Sequence, residues 1–337
     1  MILAEVLLLS AAGKLSPSFI ETETQNASEA QQANRVRAHG APDSQKPTAF
    51  ARGSFAAFGL KARKPMLTPA ERLAHTTVRI ECDLATGGTS TGTGFFYALN
   101  RSADQHVPVI VTNKHVVEGS TRGRFLLTLQ TANGEPDVGK HKAFQLDSFQ
   151  QRWAPHPDPK VDLCVMPMAP LIREAEHTQT KFFFGLFDRS LIPSSQDIED
   201  MIGLENVTMV GYPNGLWDRV NNLPIFRRGV LATDYKQDWN GRKEFLIDAA
   251  CFPGSSGSPV LLFDVGSYQT MKGINVGGSR VKLLGILYAG PQHTVEGEIK
   301  IVLVPTQQKA VSIAGIPNNL GIILKSEQLN AFETMFK

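Results

Sequence analysis

The sequence predicts an all-β protein, preceded by an unstructured leader and closed by a short helix. Three observations carry this. From about residue 75 to 308 the chain is a succession of short runs rich in Val, Ile, Leu and Phe, with Gly, Pro and Asn between them. Long helical periods are nearly absent. No repeat of fixed period appears, which argues against a propeller or solenoid. Many short strands at close spacing point to a sandwich or barrel.

Taken in order, residues 1–65 form the expected leader. Its body, "ETETQNASEAQQANRVRAHGAPDSQKPTAF", is rich in Ala, Gln, Ser and Asn, and keeps neither a helical nor a strand period. Order is expected from "LTPAERLAHTTVRIEC". There Thr68, Pro69 and Glu71 are placed as N-cap, first-turn proline and capping-box acid of a short helix, and "TTVRIEC" alternates like a strand. The expected strands follow as "GTGFFYAL", "HVPVIVTNKHVV", "RFLLTLQT", "KAFQLDSF", "VDLCVMPM", "VTMVGYP", "RRGVLATDY", "EFLIDAAC", "SPVLLFDV", "KLLGILYAG" and "KIVLVPT". The ordered domain is set at 66–310, as a first barrel over about 75–170 and a second over about 200–308. Residues 311–337 are left as a tail, whose "SEQLNAFETMF" predicts a short helix capped by Ser326.

Composition narrows the function. Of 337 residues, 42% are hydrophobic and 20% charged, enough for a sizeable core. A net charge of +2 does not point to nucleic acid or to an acidic membrane surface. Nineteen Phe against five Tyr and three Trp favour packing over base stacking. Local basic clusters, "FARGSFAAFGLKARK" and "FRRG", are offset by acids elsewhere. Cys82, Cys164 and Cys251 are odd in number and widely spaced, so buried thiols are expected rather than a disulfide framework or a metal site. The N-terminal "MILAEVLLLSAAGKLS" is interrupted by Glu5 and lacks a basic start. The localisation read from this is cytoplasmic, with a secreted or periplasmic protein the alternative if that stretch acts as a signal. No other segment reaches the roughly 18 apolar residues of a membrane span.

The chemistry centres on "CFPGSSGSPVLL", residues 251–262. Alone, it reads as an ordinary Gly/Ser turn between strands. A serine nucleophile needs a neighbouring base, and the base an orienting group. Among eight histidines, His115 stands where the buried strand "VIVTNKHVVEG" runs into a polar turn. Asp162 opens the apolar run "DLCVMPM", so its charge is half-buried and needs a partner. That partner is either nearby backbone N–H groups or an imidazole. The order His115, Asp162, Ser256 suits a pair on one barrel and a serine on the next. A hydrolase elbow of the G-x-S-x-G kind fails, because residue 258 is Ser and the chain order is wrong.

"TGTGFFY", "VTNKHVV", "VDLCVM", "VGYP" and "DAACFPGSSGSPVLL" together resemble the successive landmarks of the chymotrypsin-like serine peptidases. The likeness is strongest to the bacterial trypsin-like peptidase domain and the protease part of HtrA (Deg) proteins, over about residues 70–308. The resemblance implies a double six-stranded β-barrel with the active site between the barrels. It also implies a serine endopeptidase that works through an acyl-enzyme, without cofactor or metal, on protein or peptide substrates. Ser256 would be the nucleophile, framed by Gly254 and Gly257. His115 would be the base and Asp162 its orienting acid. The N–H groups of Gly254 and Ser256 would form the oxyanion hole. Ala250 would lie at the base of the primary pocket with Cys251 on its wall. Neither is an acid, so small-to-medium apolar side chains are expected there rather than Arg or Lys. "LGILYAG" nominates Leu287, Tyr288 and Ala289 as the strand that pairs with substrate, and Tyr288 is either a pocket-narrowing or a packed aromatic. Ser255 replaces the acid that digestive members carry before the nucleophile, so activation by pairing with a new N-terminus is not expected. About 31 residues follow "IVLVPT", too few for a PDZ domain. The alternative reading is a catalytically idle peptidase fold used as a binding or scaffold module. Oligomeric state is not legible.

Overall fold

The computed structural model describes residues 67–102, 105–290, 292–299, 310–317 and 319–336; for 292–299 and 310–317 it describes the backbone alone. The expected leader, the apolar N-terminal stretch and the expected strand "KIVLVPT" lie outside the described residues.

The chain enters through α1 (Pro69–Leu73), capped as its sequence predicts. The Thr68 hydroxyl accepts from the Glu71 N–H, the Glu71 carboxylate accepts from the Thr68 N–H, and Pro69 opens the helix. The first half then holds β1 (Thr77–Leu84), β2 (Thr89–Leu99), β3 (Val107–Thr112), α2 (Lys114–Val117), β4 (Ser120–Gln130), β5 (Pro136–Asp147), β6 (Ala154–Pro155), β7 (Cys164–Pro167), α3 (Ala169–His177) and β8 (Phe187–Asp188). Its sheet runs β5-β4-β1-β2-β3-β7-β6, with β8 beside β2. Six strands make the body, and β6 and β8 are two-residue additions to it.

The second half holds α4 (Ser195–Asp200), β9 (Asn206–Gly211), β10 (Ile225–Leu231), β11 (Glu244–Asp248), β12 (Pro259–Asp264), β13 (Ser267–Thr270), β14 (Gly273–Val276), β15 (Arg280–Ala289), β16 (Gln292–Ile299), β17 (Ala310–Pro317), β18 (Leu320–Lys325) and α5 (Asn330–Met335). Six of these strands close into a barrel, β10-β11-β18-β15-β12-β9, while β13–β14 and β16–β17 are separate two-stranded hairpins. Leu320–Lys325 corrects the sequence reading. Assigned to the tail, it is the strand that closes the barrel between β11 and β15. Ser326 is not a capping residue either. It is fully buried at the start of a 3-10 turn whose N-cap is Lys325.

Three apolar cores explain the run-like strands. Ile80, Phe96, Ile110 and Phe125 fill the interior of the first unit. Met209, Phe245, Val260 and Ile323 fill the second barrel. A third core lies between the two and joins Phe95, Tyr97, Val111 and Leu163 to Leu261, Ile286, Leu324 and Phe332. Successive residues of β2, Phe95 and Phe96, therefore enter different cores. A strand buried on both faces needs no polar side, so its sequence reads as continuous apolar residues. The all-β expectation holds, and α5 carries Phe332 into the shared core. The Glu333 carboxylate accepts from the Asn100 backbone N–H, which ties the C-terminus to the first unit.

Candidate active site

β3 delivers His115. Its apolar run ends at Thr112, and the buried Asn113 takes extended backbone as the N-cap of α2. Val116 and Val117 turn into the first core, which leaves Lys114 and His115 on the outer side of this four-residue helix. Asp162 arrives by alternation. Val161 and Leu163 are buried in the shared core, so the residue between them points the other way. Three hydrogen bonds fix its loop. Asn113 Nδ2 donates to the Asp162 carbonyl (2.8 Å), Lys114 Nζ to the Pro159 carbonyl (2.9 Å), and the His115 backbone N–H to Asp162 Oδ1 (3.2 Å).

The two side chains meet directly, with His115 Nδ1 2.5 Å from Asp162 Oδ2. An ionised carboxylate can only accept, so this contact places the proton on Nδ1 and leaves Nε2 as the basic nitrogen. Burial pushes the Asp162 carboxyl up. The hydrogen bond and charge of His115, with the backbone N–H groups of His115 and Lys114, overcome that and hold it below its ordinary value.

Ser256 stands in a loop that both units hold. Ser255 N–H donates to the Phe252 carbonyl and Ser258 N–H to the Ser255 carbonyl, both at 3.0 Å. Across the unit boundary, Thr93 N–H donates to the Ser256 carbonyl (2.8 Å) and Thr93 Oγ1 to the Gly254 carbonyl (2.9 Å). Thr112, three residues before His115, donates through Oγ1 to the Thr93 carbonyl (2.7 Å). The strand end that carries His115 is thus one hydrogen bond from the residue that grips the Ser256 loop. Gly254 and Gly257 have φ of +86° and +88°. A Cβ on Gly257 would lie 1.9 Å from the Thr93 carbonyl oxygen, and one on Gly254 2.6 Å from that of Tyr212. Of the three serines, Ser255 and Ser258 are 1% and 0% exposed, and Ser256 alone is partly open. Among the described residues, neither the Gly254 nor the Ser256 N–H donates to a backbone acceptor.

The expected pocket residues divide. Ala250 and Cys251 follow β11, and Cys251 is buried in the second core, where burial pushes its thiol up to about 11. Leu287 does not offer its backbone to a substrate as the sequence suggests. Its N–H already donates to the Ser258 carbonyl and its carbonyl accepts from Gly257. A bulge follows, with Leu287 opposite Ile323 and Ala289 opposite Ile322, so Tyr288 is the extra residue between them. Tyr288 packs against the shared core, and its hydroxyl donates to Glu244 Oε1 (3.0 Å). Burial first, then the Glu244 hydrogen bond and charge, push this phenol up to about 12.

Sequence reasoning missed several residues here. Thr93 and Thr112 carried no signal beyond a strand pattern. Gly321 faces Cys251 so closely that a Cβ there would lie 2.7 Å from Cys251 Sγ. An isolated glycine within "LGIIL" was the available hint. Among the described residues no cluster of three metal-ligating side chains occurs, and no helix is long and apolar enough to cross a membrane. The three cysteines are buried and unpaired.

The model of the trypsin-like peptidase domain family matches residues 92–266, more than half of the chain. This chain belongs to that family. The matched span of this trypsin-like peptidase domain includes His115, Asp162 and Ser256. Solved structures similar to it include the HtrA-type protease AlgW with a tripeptide, at 15% identity and a TM-score of 0.40 over 80% of this chain. The chain spans 62% of the length of AlgW. The active form of the Rv3671c protease from M. tuberculosis is similar at 16% identity and a TM-score of 0.35, over 87% of this chain and 92% of that one. No curated protein sequence matches.

Proposed function

We propose that this chain is a serine endopeptidase that cleaves peptide bonds through an acyl-enzyme on Ser256. The observation that carries the reading is the His115–Asp162 contact, 2.5 Å from Nδ1 to Oδ2. With the proton held on Nδ1, Nε2 is the nitrogen left to act as base. His115 takes the Ser256 proton as Oγ attacks, then returns it to the leaving amine. Asp162 stays ionised, keeps the imidazole tautomer and stabilises the imidazolium. The N–H groups of Gly254 and Ser256 receive the oxyanion. They meet this role because no backbone acceptor among the described residues occupies them.

The primary pocket is assigned to the wall at Ala250 and Cys251, with the buried Leu287 beside it. None of the three carries a charge, so Arg and Lys are not selected and small-to-medium apolar side chains are preferred. Ala289 and the bulged Tyr288 are the residues left to meet the substrate chain. Proteins or peptides are the partners this chemistry implies.

The test is covalent labelling with a fluorophosphonate, together with mass-spectrometric cleavage mapping on a diverse peptide library. Labelling and cleavage are both expected for the parent protein and absent in Ser256→Ala. A parent protein that neither labels nor cleaves is the idle binding module instead. Asp162→Asn is expected to lower kcat by about 10⁴ with the fold retained, because the wrong tautomer is then presented to the serine.

A further inference from the structure

The "FRRG" cluster places one arginine on the inner face of the second barrel's wall. Arg227 of β10 pairs with Met209, and Met209 with Val260. Residues paired across antiparallel strands share a face, and Met209 and Val260 lie in the interior core with Cys251 and Leu287. The Arg227 side chain therefore leaves β10 on the inner face. The β10–β11 register, Val230 opposite Asp248, brings Arg227 across from Cys251 when carried three residues on. Its guanidinium carbon lies 4.9 Å from the centre of the Phe252 ring. Its charge acts on the Cys251 thiol against the dominant effect of burial. The cation thus stands against Cys251 and Phe252, the wall that leads to Gly254.

Among the described residues its one recorded partner is the Phe252 ring. Arg227 Nε is shielded from solvent and has no hydrogen-bond partner, and no carboxylate among the described residues pairs with the group. Arg280, in the same barrel, shows what a buried guanidinium ordinarily receives: Glu205 at 2.7 Å and Asp264 at 2.8 Å. A guanidinium with a shielded, unpaired Nε and no counter-charge gains two charge-assisted hydrogen bonds when a carboxylate arrives in bidentate geometry.

We propose that Arg227 makes the primary pocket select an acidic side chain, Asp or Glu, at the residue whose carbonyl is attacked. This rests on the serine-peptidase reading and sharpens it. A Glu side chain keeps apolar contact, its methylenes meeting Cys251 and Leu287, and adds a carboxylate for the guanidinium. The selectivity thus departs from the purely apolar one expected from Ala250 and Cys251.

The experiment compares kcat/KM for four peptides that differ only at that residue: Glu, Gln, Val and Lys. With the parent protein, Glu is expected to exceed Gln by about 10- to 100-fold, the usual worth of a hydrogen bond to a charged group. Arg227→Gln should erase that ratio, Arg227→Lys should keep part of it, and Arg227→Glu should turn the preference towards Lys. Fluorophosphonate labelling of each variant reports whether the Ser256 site is intact. Should Arg227→Gln not fold, collapse of the parent Glu/Gln ratio in high salt is the supporting result, and a salt-independent ratio overturns the proposal. Parent protein that labels and cleaves Gln or Val as well as Glu overturns the acid selectivity and leaves the peptidase reading standing. Absence of both labelling and cleavage overturns both.

Discussion

Ser256 differs from its two neighbouring serines only in how the backbone presents it. Ser255 and Ser258 turn inward and Ser256 outward, because two glycines at positive φ reverse the chain on either side. Gly257→Ala should therefore be costly. Its Cβ would overlap the Thr93 carbonyl, and the positive φ adds strain. A loss of about 2–4 kcal/mol in denaturant unfolding is expected. A second residue sets the response to acid. His75 is 8% exposed, edge-on to Phe183, and burial lowers its pKa to about 4. The unfolded chain takes up a proton near pH 6.5 and the folded chain only near pH 4. Stability from a neutral His75 is thus fully present above pH 6.5 and lost as pH falls to about 4. The loss is about 3 kcal/mol, and His75→Leu should flatten this limb in pH-dependent melting.

At the scale of elements, the candidate site is held by β2, by the end of β3 and by the β12–β15 pair. Thr93 is the main tie. Its hydroxyl accepts from the Tyr212 N–H (3.1 Å) and donates to the Gly254 carbonyl (2.9 Å), so it couples β2 to the loops after β9 and before β12. Thr93→Val keeps the shape and removes both bonds. An orphaned buried N–H costs about 1–3 kcal/mol. The expected outcome is a modest fall in melting temperature, with a larger fall in kcat than any change in KM, because the displaced group is the carbonyl of Gly254. Equal kcat for parent and variant would show that the oxyanion loop does not depend on the Thr93 hydroxyl. How legible these elements were depended on how local their causes are. The capping box at Thr68 and Glu71 needs residues three apart, and the structure holds it as read. The bulge at Tyr288 is defined against β18, a strand more than thirty residues away, and no local pattern announces it.

The whole molecule is two β units joined by a core that belongs to neither. Leu324, Leu329 and Phe332 come from the last residues of the chain and sit in that core beside Phe95 and Leu163. Removal of residues 319–337 would open the second barrel between β11 and β15 and strip the shared core. Such a truncation is expected to lose cooperative thermal unfolding in both units, whereas an intact transition would mean that the first unit stands alone. The three positions singled out for chemistry come from β3's end, the loop before β7 and the loop before β12. The molecule brings the first two into direct contact and binds the third through Thr93.

The sequence alone determined the all-β class, the six strands of the first unit's body, the strands of the closed barrel except β18, and the short motifs around His115, Asp162 and Ser256. These features are written in contiguous residues, where turn glycines, apolar runs and polar breaks act over a few positions. The two-residue strands β6 and β8 and the hairpins β13–β14 and β16–β17 were not legible. The tertiary structure decided that Leu320–Lys325 is a barrel strand, that Leu287 spends its backbone on the Ser256 loop, and that Arg227 and Gly321 flank Cys251. Strands buried on both faces have no polar side to reveal their orientation. Which face a residue takes is set by register against distant partners, and that information exists only once the barrel is closed.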